Sequence, residues 1–167
     1  MFDNTAPTIT FDKNGDTNYA KSHASTITVT DDGSGGNAES YIYTWSTSNT
    51  AEPDTPFVSG TEYSKDQVTG NYYIVATACD NAGNCKTKKA SNVFKFDNEG
   101  PTITFGTNGN STYAKSQSTK ITVSASGAAV DTSTYKYIWS TSNTATPDTS
   151  FTSGGTVTKS SGDGTFY

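Results

Sequence analysis

An internal repeat constrains the fold of this chain more than any other feature of its sequence. The stretch FDNTAPTITF at residues 2–11 returns 94 residues later as FDNEGPTITF at residues 96–105. The register then holds without a gap, and WSTSNTAEPDT at residues 45–55 matches WSTSNTATPDT at residues 139–149. A repeat of this length is far too long for a solenoid unit, so it predicts one small domain per copy.

The second copy stops before the first one does. Tyr167 matches Tyr73, so residues 74–95 of the first copy have no counterpart. We therefore expect a complete domain over residues 1–98 and an incomplete one over residues 99–167 that lacks its last two strands. Such a domain would expose strand edges and could borrow strands from a neighbouring chain.

Residue types and alternation both predict an all-β fold. Thr and aromatic residues suit a half-buried pleated surface, Gly, Asn, Asp and Ser suit turns, and no stretch shows helical periodicity. About seven short strands per complete repeat predict a β-sandwich. The clearest strands of the first copy are Thr8–Phe11, Thr26–Thr30, Tyr41–Trp45, Asn71–Cys79 and Lys86–Phe96.

Charge and hydropathy exclude two classes of partner. The net charge of −5 argues against binding to nucleic acid or to an anionic membrane surface. No apolar run approaches the roughly 20 residues of a membrane-spanning helix, so we expect no membrane insertion. No secretion signal precedes the first repeat, and we interpret the chain as a fragment of a longer protein.

Several motifs follow one another in a recognisable order. The hairpin sequence ACDNAGN spans residues 78–84, and the junction FDNEGPT that follows carries Asp97, Pro101 and Thr102. Trp45 and Trp139 lie in the third main strand of their repeats. This order resembles the tandem immunoglobulin-like domains of bacterial surface proteins.

The resemblance implies immunoglobulin-like sandwiches that act as non-catalytic spacers in an extracellular adhesin at the bacterial cell surface. The partners would be neighbouring repeats of the same protein. Two alternatives remain open: a module that binds a host protein or a glycan, and a decoration domain of a phage particle.

In the same family, VTGNY at residues 68–72 resembles a tyrosine corner, in which the phenol of Tyr72 would bond nearby backbone. Phe166 replaces this tyrosine in the second copy.

The two cysteines, Cys79 and Cys85, flank a five-residue turn. If their strands are antiparallel and in register, the two side chains lie close enough to form a disulfide, which is preferred here over free thiols. A loop so short limits the stabilisation to roughly 2 kcal/mol. Zinc would need four ligands, and the single histidine, His23, is assigned to a different loop. Gly83 and Asn84 are expected to supply positive φ angles in the turn.

Acidic side chains near the predicted domain ends are candidate calcium ligands. They are Asp3, Asp80, Asp97 and the DDG sequence at residues 31–33. Calcium prefers six to eight oxygen ligands, and no dense run of alternating aspartates is present. Turn and cap roles are therefore the preferred interpretation, and we expect no cofactor, with calcium as the alternative.

The aromatic triplet Tyr41, Tyr43 and Trp45 could stack against a sugar, although one face of a strand is more simply explained as core. No nucleophile motif, paired-glutamate pattern or phosphate-binding loop is found, and Gln117 replaces His23 in the second copy. We therefore expect no enzymatic activity.

Overall fold

A computed structural model describes residues 1–167 in full. It consists of strands, turns and one short 3-10 segment at Thr132–Thr134. No helix in the structure is long and apolar enough to cross a membrane. The strands are β1 (Thr8–Phe11), β2 (Asp16–Ala20), β3 (Ser22–Thr30), β4 (Gly36–Ser46), β5 (Thr55–Pro56), β6 (Thr61–Asp66), β7 (Gly70–Asp80), β8 (Cys85–Lys89), β9 (Phe94–Phe96), β10 (Thr102–Phe105), β11 (Gln117–Ser124), β12 (Lys136–Tyr137), β13 (Thr149–Ser150) and β14 (Gly155–Lys159).

The chain divides into two compact units, residues 1–99 and residues 100–167. In the first unit, β1, β3 and β6 form one sheet in the order β1-β3-β6. The second sheet has the order β2-β9-β7-β4-β5, and β8 also pairs with β7. The prediction of an all-β fold is confirmed, and the arrangement is consistent with a β-sandwich.

The core of the first unit lies between its two sheets. Alternate residues of β1 point inward, so that Ile9 and Phe11 are 2% and 6% exposed. From the larger sheet, Ile74, Phe94 and Phe96 are fully buried against them. Each side chain of this size contributes roughly 1.5–3 kcal/mol when it is fully removed from water.

The structure interrupts one predicted strand and adds another. Residues 86–96 do not form a continuous strand, because β8 ends at Lys89 and β9 begins at Phe94. After Ala90, whose amide still donates to Ile74, the backbone leaves β7 and donates the Ser91 and Asn92 amides to Asn14. The added strand is β2, in a polar stretch that the sequence does not mark as a strand, and it pairs in parallel with β9.

The position of His23 and the contacts of Tyr72 differ from those that the sequence predicts. His23 lies in β3, where its Nε2 is 2.9 Å from the Lys95 carbonyl, and not on a loop. The Tyr72 ring packs edge-on against Phe96 with the Lys65 ammonium 5.0 Å from its centroid, in place of the predicted bond from its phenol to backbone. A cation–π contact needs no hydroxyl, so Phe166 keeps the same arrangement under Lys159 at 4.6 Å.

The strands of the second unit pair in the same registers as their matching strands in the first. Ile103 faces Val123 as Ile9 faces Val29, and the sheet order is β10-β11-β14. β12 pairs with β13 as β4 pairs with β5.

The turn after β1 should respond to acid, whereas the matching turn after β10 should not, because Gly106 replaces Asp12 there. Burial opposes ionisation of Asp12, but hydrogen bonds from the Thr26 amide, the Ser25 hydroxyl and the Lys13 amide outweigh it and lower the pKa of Asp12. A lowered folded-state pKa stabilises the fold above the unfolded value of 3.8, and this stabilisation is lost as the pH falls through the folded value. We expect Asp12→Asn to reduce the amount of unfolding free energy that the first unit loses as the pH falls below about 4. Urea unfolding from pH 2 to 6 measures this. An unchanged pH profile would contradict this role of Asp12.

Candidate functional site at one end of the first unit

A disulfide closes the hairpin between β7 and β8. Cys79 and Cys85 are directly paired across the two strands, their Cα atoms lie 4.0 Å apart, and their sulfurs are bonded. The predicted disulfide is confirmed, since the antiparallel register places both side chains on one face of the ladder.

The turn within this disulfide is held by Asp80 and Asn84. The Asp80 carboxylate accepts hydrogen bonds from the Asn84 backbone amide and side-chain amide, each at 2.8 Å. Gly83 has the expected positive φ of 88°, whereas Asn84 does not have one. Asn84 is needed instead for its side chain, which also donates to the Asp3 carbonyl at 3.1 Å.

We expect removal of the disulfide to cost roughly 2 kcal/mol of unfolding free energy, because the closed loop is short. The double variant Cys79→Ala, Cys85→Ala tests this by urea denaturation. Reduction of the unmodified chain with dithiothreitol is the matched control and should give a similar loss. A loss above about 4 kcal/mol would mean that the bond restrains more than this hairpin.

Three carboxylates meet beside this turn. Asp3, Asp31 and Asp80, named here the carboxylate cluster, each offer an oxygen within 4.8 Å of the other two. Asp80 is 1% exposed, and the other two are half-buried. β3 ends at Thr30, just before Asp31, and β7 ends at Asp80, so strand ends from the two sheets bring these carboxylates together.

Each carboxylate of the cluster already accepts hydrogen bonds from the protein. Asp3 accepts the Thr5 amide at 3.0 Å and the Ser34 amide at 2.6 Å. Asp31 accepts two more backbone amides, those of Gly33 at 3.2 Å and Gly35 at 2.8 Å. The cluster therefore fixes turns, which is the preferred sequence interpretation, and calcium binding here stays a prediction.

The surroundings of the cluster shift the pKa values of two side chains. The hydrogen bond from the Thr5 amide, followed by that from Ser34, holds the pKa of Asp3 below its ordinary value. The pKa of the nearby Tyr41 hydroxyl is raised, first by burial and then by the negative charge of Asp31. Both shifts favour an ionised carboxylate and a neutral phenol at neutral pH.

Further hydrogen bonds tie the loop after β3 to the hairpin turn. The Asn81 side chain donates to the Ser34 carbonyl at 3.0 Å, and the Ala82 amide donates to the Ser34 hydroxyl at 3.1 Å. The Asn81 amide also donates to the Gly35 carbonyl at 2.9 Å. The N-terminal segment, the loop after β3 and the hairpin turn thus form one hydrogen-bonded end of the unit.

Asp97 does not belong to this cluster. It directly follows β9, whose last residue, Phe96, pairs with Gly70 at the start of β7, whereas Asp80 is the last residue of β7. An eleven-residue strand separates these two ends by roughly 30 Å. The carboxylate of Asp97 accepts the Glu99 amide at 3.1 Å. Of the acidic candidates from the sequence, Asp3, Asp31 and Asp80 therefore lie together, and Asp97 lies apart from them.

The aromatic triplet of β4 packs towards the interior. Tyr41 is buried and stacks on Phe57 at 5.3 Å, and Tyr43 contacts Tyr63 at 4.5 Å. The Trp45 ring lies 4.9 Å from the Phe94 ring, edge to face. These contacts account for the three aromatics as core residues, and a sugar-stacking role stays a prediction.

Comparison with protein-family models, with curated proteins and with solved structures found no match to this chain.

Proposed function

We propose that the chain is a force-transmitting spacer from the stalk of an extracellular bacterial surface protein, built from tandem immunoglobulin-like sandwiches. The strand order of the first unit supports this architecture. β3 pairs with β6 in one sheet, while β4, β7 and the β8–β9 segment pair in the other. In an immunoglobulin sandwich, the second strand likewise pairs with the fifth in one sheet, and the third, sixth and seventh strands pair in the other.

The parallel pairing of β2 with β9 carries the proposed mechanical role. Asp16 pairs with Phe94 and Ala20 pairs with Phe96. Two further backbone hydrogen bonds, from Asp16 to Val93 and from Asp97 to Ala20, extend the contact at 3.0 Å each. The first and last parts of the unit are thereby joined side by side.

Parallel terminal strands determine how tension acts on the unit. The chain enters at the end that holds the carboxylate cluster and leaves at the other end, after β9. Tension applied to the two ends first loads the pairing of β1 with β3 and then slides β2 along β9, so the hydrogen bonds of the β2–β9 pair are loaded together and are not opened one by one. A spacer that must transmit force benefits from this geometry.

Single-molecule force spectroscopy tests the proposal on the full chain. Handles at residues 1 and 99 pull the first unit from end to end, and handles at residues 1 and 82 pull two points at the same end. We expect a markedly higher unfolding force for the first pair, because only that geometry shears β2 against β9. Equal unfolding forces in the two geometries would contradict a force-transmitting role.

A further inference from the structure

The second unit leaves uncovered a face that the first unit buries. Ile9 and Phe11 are 2% and 6% exposed, whereas their matching residues Ile103 and Phe105 are 57% and 48% exposed. Both pairs lie in strands with the same register, β1 on β3 and β10 on β11. The difference therefore lies in what covers the face and not in how the strands themselves pair.

The covering segment is visible in the first unit. Ile74, Phe94 and Phe96, from β7 and β9, belong to the same core cluster as Ile9 and Phe11. The Lys88 ammonium, from β8, donates to the Ile9 carbonyl at 2.9 Å and lies 6.0 Å from the centroid of the Phe11 ring. Residues 74–96 thus supply one wall of the core.

The remaining core contacts are already assembled in the second unit. Tyr135 stacks on Phe151 at 5.3 Å and 22°, nearly the same as Tyr41 on Phe57 at 5.3 Å and 23°. Ile121 is buried, as Ile27 is in the first unit. The aromatic positions of β4 recur without change as Tyr135, Tyr137 and Trp139.

One rung of the missing strand pairing is also present. Ser140 and Tyr167 exchange two backbone hydrogen bonds, at 3.1 and 2.7 Å. The matching residues, Ser46 and Tyr73, begin the ladder that joins β4 to β7 up to Ile42 and Thr77. The backbone edge at residues 136–139 is therefore placed to continue this ladder.

We propose that this face, named here the acceptor face (Ile103, Phe105 and the backbone edge of residues 136–139), binds a β-segment with the chemistry of residues 74–96. The occupant is a strand, a tight turn and a returning strand, with an isoleucine and two alanines inward on the first strand and two phenylalanines on the second. It pairs with residues 136–139 in the register of β7 on β4.

The structure favours a free segment of this kind over a second copy of the chain. In a second copy, residues 74–96 already lie in its own first unit, where Phe94 and Phe96 are fully buried. Donating them would expose that core. The inference rests on the proposed sandwich architecture but concerns residues 100–167 alone, so its test is independent of pulling the first unit.

The test adds a synthetic peptide with the sequence of residues 74–96, disulfide closed, to the full chain. We expect saturable one-to-one binding and at least tenfold slower amide exchange at residues 136–139 by NMR, with first-unit amides unchanged. A peptide with serine at the positions of Phe94 and Phe96 is the donor control. The Phe105→Ala chain is the acceptor control, and binding should weaken at least tenfold in either case.

If the peptide aggregates, a fusion of the same segment to the chain tests the proposal instead. The same 23 residues are joined directly after Tyr167, and a scrambled version serves as control. We expect the extension to give the second unit a cooperative unfolding transition that the scrambled one does not. No new transition, or the same transition with both, overturns the proposal. A dimer in which residues 136–139 are protected without peptide also overturns it, in favour of a second copy.

Discussion

Replacing Phe11 with alanine should lower the unfolding free energy of the first unit by about 3–5 kcal/mol, the usual cost of truncating a buried phenylalanine. Phe11 is 6% exposed and packs in the main core cluster of the first unit. Since small domains are stable by only about 5–15 kcal/mol, this change removes a large part of the total. Urea denaturation followed by tryptophan fluorescence measures the loss.

The repeat provides a matched control for this substitution. Phe105 occupies the same strand position in the second unit but is 48% exposed. Phe105→Ala should therefore cost less than about 1 kcal/mol, because little packing is lost. Similar losses for the two variants would mean that the exposed face of β10 is covered in solution.

Gly36→Ala should destabilise the first unit by up to about 3 kcal/mol through overpacking. A Cβ atom at this position would overlap the Tyr41 hydroxyl oxygen. Tyr41 is buried against Phe57 and cannot swing into solvent without opening the core. Thermal unfolding of the variant, compared with the unmodified chain, measures the loss.

A second substitution isolates the cause. Tyr41→Phe removes the clashing oxygen and leaves the ring carbon at 3.1 Å from the added Cβ. The double variant Gly36→Ala, Tyr41→Phe should therefore recover most of the lost stability, as a non-additive pair. Additive losses would show that the alanine acts on the backbone and not on Tyr41.

The elements that sequence predicted best are those with local signals. β1 has the predicted bounds, and the disulfide follows from the strand register across a short turn. In both cases alternating residues and a nearby turn carry the information. The pairing of β7 with the returning strand was likewise predictable, although its interruption after Lys89 was not.

What sequence reasoning missed depends on contacts distant along the chain. β2 is polar and reads as a turn, and its partner β9 lies about 75 residues away, so nothing local marks it as a strand. Asp31 and Asp80 meet because β3 and β7 end at the same end of the unit, which requires the topology. Asn84 carried a usable signal, since an amide four residues after Asp80 can reach back to its carboxylate.

The pairing of β2 with β9 is the feature on which the spacer proposal depends, and native-state hydrogen exchange tests it most directly. The amides of Asp16 and Asp97 donate across this pair to Val93 and Ala20. We predict that both exchange within a factor of ten of the Ala90 amide, which donates to Ile74 in the core sheet. Exchange of the Asp16 and Asp97 amides at the rate of unprotected peptide amides would contradict the pairing of β2 with β9, and with it the force-transmitting role.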